Sequence, residues 1–146
     1  MDNSNIGRAM SAIGASTRRK YFSGAKTEEL ISKAEQRLGL AFPASYRQFL
    51  AQYGAGSVGS LEIYGVIADD FDAGAVPDGV WLTLKRRLDS ALPKNLMIIG
   101  DVGDGSYYCI MDAASGGGVV VFDPGSRMSE AAYTSFDEYV IAQLEE

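Results

Sequence analysis

Two amphipathic helical patterns joined by a very short connection constrain the fold of this chain most strongly. Residues 27–38 form the first pattern, with Thr27 placed to cap its start and Gly39 placed to end it. Phe42 and Pro43 begin the second pattern, since proline suits a first helical turn, and Gly54 closes it. Helices connected so closely must pack side by side or cross at a sharp angle. Their apolar faces consist of Leu30, Ile31, Ala34, Leu38, Tyr46, Phe49, Leu50 and Tyr53.

Beyond Gly54 the chain changes to short apolar runs that predict strands. The strand candidates are residues 61–64, 96–99, 107–111 and 119–122. The last three are separated by the turn-rich segments GDVGDGS and AASGGG, which predicts an antiparallel meander. Both faces of the strands at 96–99 and 119–122 are apolar, so we expect them inside the sheet or beneath helices.

Two further helical patterns complete the chain. Residues 80–88 predict a short helix with Trp81, Leu84 and Leu88 on one side, and residues 136–144 predict a C-terminal helix capped by Ser135. The order is therefore helices, strands and then a helix. That order favours an α+β fold in which an antiparallel sheet of about four or more strands packs against helices.

The first 24 residues carry no clear period and are rich in small residues. We predict a flexible, loosely held N-terminal arm over residues 1–24 and a single domain over residues 25–146, since 146 residues fit one domain. The basic cluster Arg18, Arg19 and Lys20 follows the weakly apolar residues 9–15, whereas a secretory signal carries its charges first. No run approaches the roughly 20 apolar residues of a membrane span, so we expect a cytoplasmic protein without membrane contact.

The sequence holds no histidine and one cysteine, Cys109. The lack of histidine excludes Ser-His-Asp and Cys-His catalysis and the commonest zinc ligand. A lone cysteine in an apolar strand is typical of a packed core thiol in a reducing compartment. The segment GDVGDG lacks the lysine of a phosphate loop, and Asp101, Asp104 and Asp112 lack calcium-loop spacing, which favours a hairpin turn. We therefore predict that the protein is not an enzyme and has no catalytic residue, cofactor or metal site.

Acidic residues concentrate in the later part of the chain. Residues 1–60 hold eight Lys/Arg and four Asp/Glu, whereas residues 61–146 hold five and fifteen, within a net charge of −6. This distribution repels phosphate backbones and attracts basic proteins. The alternative is that the negative charge serves only to keep the protein soluble. The loop at 68–79, called the acidic loop below, is open to three interpretations: a solvated segment, a protein-binding segment, or carboxylates for a metal or catalysis. The candidate partner-binding residues are Asp69, Asp70, Asp72, Asp101, Asp104 and Tyr107.

The ordered set of motifs resembles the SUKH superfamily, the Smi/Knr-like immunity-protein domain. Residues 27–56 are similar to its helix ending in E..LG and the following lP..y..fl...NG. The segment LEIYG resembles its eiyG strand, MIIGDVGDGSYYCIMD resembles its hairpin, and TSFDEYVIAQLEE resembles its closing helix. One departure is Tyr53, where the family commonly has asparagine. The positions that match are Glu35, Leu38, Gly39, Pro43, Tyr46, Phe49, Leu50, Gly54, Gly103, Asp104, Tyr107 and Asp112.

The resemblance implies a twisted antiparallel sheet packed against helices, and it supplies no shared catalytic residue. In bacteria it implies an immunity protein against polymorphic or contact-dependent toxins, many of them nucleases. We therefore expect an antitoxin that binds a cognate, basic protein toxin such as a nuclease, without direct contact to nucleic acid. The alternative is a cytoplasmic protein-interaction or regulatory module of the same fold without a toxin partner, as the family's fungal cell-wall regulators imply.

Overall fold

Five α-helices and two antiparallel sheets make up the part of the chain that the computed structural model describes, residues 7–145. The predicted α+β class is confirmed. In chain order the elements are α1 (Arg8–Ala15), β1 (Lys20–Phe22), α2 (Glu28–Leu38), α3 (Ala44–Tyr53), β2 (Gly56–Val58), β3 (Leu61–Ile63), α4 (Gly79–Ser90), β4 (Leu96–Asp101), β5 (Tyr107–Met111), β6 (Val119–Asp123), β7 (Met128–Tyr133) and α5 (Phe136–Leu144).

The helix pair α2 and α3 ends where the capping residues predict. The Thr27 hydroxyl oxygen accepts a hydrogen bond from Leu30 N at 3.1 Å, and Gly39 takes a left-handed conformation with φ 72°. The Glu35 carboxylate then fastens the connection, because it accepts from Phe42 N at 2.7 Å and from the Arg47 guanidinium at 2.8 Å. Glu35 thus connects the end of α2 to the start of α3. These hydrogen bonds explain why a glutamate occupies this position of the motif.

The strands follow one continuous spatial order across the two sheets. The first sheet has the order β1-β2-β3 and the second β4-β5-β6-β7. Tyr64 N donates to Ile99 O at 2.8 Å, so the end of β3 lies beside β4 and joins the sheets. Strands β3 to β6 contain the predicted runs, whereas β1, β2 and β7 were not predicted. In this order β1 and β7 are the two outermost strands.

Apolar side chains lie on both sides of the second sheet. The main core includes Tyr46 and Phe49 from α3, Ile99 from β4 and Phe136 from α5. A smaller cluster lies under α4 and holds Tyr64, Leu82, Leu92, Leu96, Ile98, Cys109 and Phe122. All of β4 except Asp101 is buried, as its apolar sequence predicts for a strand covered on both faces.

Helix α4 forms as predicted, and Trp81 and Leu84 on the side that the sequence indicates are half-buried against the core, but Leu88 on that side is not. Val80 and Thr83 are fully buried, whereas Leu88 is 91% exposed. Thr83 fits the core because its hydroxyl oxygen accepts a hydrogen bond from Ile98 N at 2.9 Å, at the edge of the sheet. The apolar pattern of α4 does not indicate that Thr83 is buried, because the partner of its hydroxyl lies on β4.

The N-terminal segment also differs from the predicted loose arm. Residues 1–6 of that prediction lie outside the described residues, but residues 8–15 form α1, and its Ala9, Met10 and Ile13 are buried. Helix α1 packs against α5, and Ala9 N donates to the buried Asp137 Oδ1 at 2.8 Å. Helix α1 is therefore part of the core.

Candidate partner-binding surface

The six predicted partner-binding residues lie in two places. Asp69, Asp70 and Asp72 lie on the acidic loop between β3 and α4, and all three are exposed. The Asp72 carboxylate pairs with the Arg37 guanidinium of α2 through contacts of 2.5 and 3.2 Å. The Arg37 hydrogen bond lowers the pKa of Asp72, so this carboxylate stays ionised at neutral pH. The loop is therefore fastened to α2 at one of these three exposed carboxylates.

The other candidates lie on the hairpin that connects β4 and β5. Asp101 Oδ1 accepts from Gly103 N at 2.7 Å, and Asp104 Oδ1 accepts from Ser106 N at 3.0 Å and from the Ser106 hydroxyl. The Ser106 hydrogen bonds also lower the pKa of Asp104. These contacts fold the segment 102–106 into the hairpin turn that the glycines predict. Both aspartates are exposed, and their own turn holds them in place.

Tyr107 sits opposite Asp101 on the neighbouring strand. Its ring is half-buried against the cluster under α4, and its hydroxyl oxygen accepts from Arg86 Nε at 3.3 Å. The nearby Tyr64 ring is buried, and desolvation, followed by the charges of Glu62 and Asp101, raises its pKa to about 12. The Tyr64 hydroxyl is therefore neutral at physiological pH. Glu62 is exposed and adds a carboxylate that sequence reasoning missed, although its place between the apolar Leu61 and Ile63 of β3 was a usable signal.

A groove on the second sheet holds further carboxylates that sequence reasoning missed. Asp123 on β6 and Glu130 on β7 face the same cavity of about 440 Å³ as Asp104. This surface, the acidic groove, is lined by Asp104, Ser106, Val121, Asp123, Ser126, Met128, Ser129 and Glu130. Strand β7 was missed because MSEAAY has few strand-favouring residues. The turn-forming residues DPG at the end of β6 were a signal that a further antiparallel strand follows.

The thiol and the buried carboxylates of this chain are buried in the core or hydrogen-bonded to backbone N–H groups. The Cys109 thiol is fully buried, and burial raises its pKa far above the ordinary value for cysteine. The buried carboxylates Asp78 and Asp137 accept hydrogen bonds from the backbone N–H groups of Trp81 and Ala9. Within residues 7–145 no group of three or more His, Cys, Asp or Glu side chains is placed to hold a metal ion. What this surface offers chemically is ionised carboxylates on ordered turns, which suits binding to a positively charged molecule.

The fold and this surface define an α+β domain whose predicted partner-binding aspartates lie on the loop between β3 and α4 and at the β4–β5 hairpin. Residues 11–145 match the model of a family described as SUKH_5, SMI1-KNR4 cell-wall, so the chain belongs to the SMI1-KNR4 family. The resemblance noted from the motifs is thereby confirmed. This family includes immunity proteins and consists generally of non-catalytic binding domains.

A search of curated proteins gave no match. No helix within residues 7–145 has the length and apolar character needed to cross a membrane.

Proposed function

We propose that this protein is an immunity protein that neutralises a cognate bacterial polymorphic or contact-dependent toxin by binding it directly in the cytoplasm. The observation that carries the proposal is the family match, which spans residues 11–145 and belongs to a family that includes immunity proteins. Neutralisation by binding depends on affinity for the toxin, and it does not require this protein to form or break a covalent bond. The proposal therefore agrees with a domain whose one thiol is buried and whose buried carboxylates cap helices.

The charge distribution supports a basic partner, such as a nuclease. Residues 61–146 hold fifteen Asp/Glu against five Lys/Arg. The acidic loop and the β4–β5 hairpin, both in this part, expose Asp69, Asp70, Asp72, Asp101 and Asp104 to solvent. Opposite charge accelerates encounter, and half-buried aromatic residues such as Tyr107 then supply contact area at low entropic cost. The same negative surface disfavours direct binding of nucleic acid.

Co-expression with the product of the adjacent gene tests this function. The expected result is that the adjacent gene alone arrests growth, that co-expression restores growth, and that the two proteins co-purify in a fixed ratio. A chain with Phe49→Ala serves as the control, since removing this fully buried ring costs about 3–5 kcal/mol of core stability and should abolish protection. Restored growth without a complex would contradict neutralisation by binding.

The second interpretation, a regulatory module without a toxin partner, has a different outcome in the same experiment. It predicts an adjacent product that is harmless on its own, and it predicts capture of an endogenous protein. The mention of the cell wall in the family description is the observation that favours it. Scoring growth and complex formation together separates the two functions.

A further inference from the structure

The two outermost strands of the fold differ in how well they are protected against pairing with another chain. Strand β1 has three residues, and Arg19 and Lys20 place two positive charges at its start. Short length and positive charge are the usual protections of a sheet edge. Strand β7 has six residues, of which five are exposed, and within residues 7–145 it pairs with β6 alone.

The composition of β7 leaves its edge accessible. Glu130 is its one charged residue, and it contains no proline. Ala131 and Ala132 are small and exposed, so another backbone can approach closely. Met128 is 69% exposed and adds an apolar side chain to this accessible strand. An unprotected edge of this kind is the surface that proteins use when they bind an extended segment by strand addition.

The acidic groove lies directly beside this edge. In the β6–β7 register Val121 pairs with Glu130 and Asp123 pairs with Met128, so these four side chains share one face of the sheet. Asp123 Oδ1 accepts from Gly125 N at 2.9 Å, which holds its carboxylate at the rim. With Asp104, the groove is lined by three carboxylates and by the apolar residues Val121 and Met128.

We propose that β7 and the acidic groove form the docking site for an extended, Lys- or Arg-rich segment of a protein partner, which adds to the sheet beside β7. This inference rests on the proposed function, in which the partner is the toxin. Alternate side chains of the added strand lie over the groove, where their aliphatic stems cover Val121 and Met128 and their cationic ends meet the carboxylates. The neighbouring turn carries one cation, Arg127, against these three carboxylates, so the site stays negative.

A second copy of this chain is a poorer occupant of the same edge. Each copy has a net charge of −6, and pairing two β7 strands brings two acidic grooves together. Like charges facing each other across a sheet are destabilising. The charge of the groove therefore selects a basic segment over self-association.

A defined peptide tests this site without knowledge of the toxin. The probe is a peptide of alternating lysine and valine, and the measurement is its affinity for the full chain together with hydrogen exchange of the backbone amides. We expect slowed exchange at residues 128–133. The same peptide with every amide N-methylated keeps its charge but has no N–H donor for pairing along either edge, and we expect about tenfold weaker binding, or roughly 1.4 kcal/mol.

Matched variants separate the groove from general charge. Glu130→Gln removes one carboxylate of the groove and should weaken binding of the probe severalfold in low salt, whereas Glu29→Gln removes an exposed carboxylate on α2 and should leave binding unchanged. Protection that falls outside β7, equal binding of the N-methylated peptide, or dimerisation through β7 would overturn the inference. The co-expression experiment decides the proposed function separately, because it needs no assumption about β7.

Discussion

Ala9 N donates a hydrogen bond to Asp137 Oδ1 over 2.8 Å, inside the core and across 128 positions of the chain. Gly7, the residue that precedes α1, has no side chain to cap that helix, so Asp137 supplies the acceptor from the first turn of α5. One carboxylate thus serves the N-terminal ends of two helices, where the helix dipole favours negative charge. The Arg8–Glu138 ion pair at 2.7 Å lies next to it and reinforces the contact.

Removing the Asp137 acceptor should destabilise the fold. Asp137→Ala leaves Ala9 N–H buried without a partner, and we expect the free energy of unfolding to fall by about 1–3 kcal/mol. Asp137→Asn keeps an oxygen acceptor and should lose less. Urea denaturation of the three proteins gives the comparison, and equal losses in both variants would show that the hydrogen bond is not the source of the effect.

The same carboxyl group has a predicted pH dependence. Burial raises the pKa of Asp137, outweighing the Ala9 N–H and Arg8, which lower it. Because the folded pKa lies above the unfolded one, its contribution to stability is full below the unfolded pKa and is lost as the pH rises through the folded pKa. Relative to Asp137→Asn, the unmodified protein should gain stability as the pH falls from about 7 to about 3. A constant difference over that range would contradict the raised pKa.

The hydroxyl group of Tyr46 should matter more for stability than that of an exposed tyrosine. Tyr46 is fully buried and donates to Tyr64 O at 2.8 Å, linking α3 to the end of β3. Tyr46→Phe should therefore lower the free energy of unfolding by about 1–3 kcal/mol. The matched control is Tyr53→Phe, since the Tyr53 hydroxyl contacts the exposed Gln52 amide and its loss should change stability by less than about 0.5 kcal/mol.

Gly65 is required because two backbone segments meet there. A Cβ atom at Gly65 would lie 1.8 Å from Gly54 O and 2.9 Å from the Leu50 side chain. Gly65→Ala must therefore separate the end of α3 from the segment after β3 and break the Val66 N to Gly54 O hydrogen bond. We expect a loss of about 3 kcal/mol or more in thermal or urea unfolding. Gly14→Ala, where a Cβ meets nothing within 4 Å, should leave stability unchanged or improve it.

Charge reversal on the acidic loop should slow association with a basic toxin. Changing Asp69, Asp70 and Asp72 to lysine should lower the association rate about tenfold or more in low salt, because these exposed carboxylates steer encounter. The corresponding asparagine variants should have a smaller effect, and high salt should reduce both differences. Stopped-flow or biosensor kinetics with the captured toxin provides the measurement. An unchanged rate would remove the loop from the binding surface.

The sequence predicted the elements whose signals are local. Thr27, Gly39 and Ser135 cap helices where the capping preferences place them, since a cap is decided by atoms a few residues away. The burial of Thr83 in α4 was not predictable, because its hydroxyl is satisfied by Ile98 N, a partner fifteen residues away that the helical period does not reveal. Helix α1 was missed for a related reason, since its N-terminal acceptor comes from Asp137.

The candidate surface was predictable only where carboxylates cluster along the chain. The sequence shows Asp69, Asp70 and Asp72 as a run, but Asp123 and Glu130 reach the same groove as Asp104 only through the β6–β7 register. That register depends on pairing between strands, and β7 carries little intrinsic strand preference to announce it. The partner-binding role of the six predicted residues remains a prediction.

The packing of α1 against α5 has a consequence for how the protein is made. Synthesis produces α1 and α3 well before α5, so the part of α1 that packs against α5 stays uncovered until α5 has emerged. Contacts between such distant segments slow folding because a large loop must close before they form. Part of the apolar surface of α1 is therefore exposed until a late stage of synthesis, and a variant that weakens the α1–α5 contact prolongs that exposure.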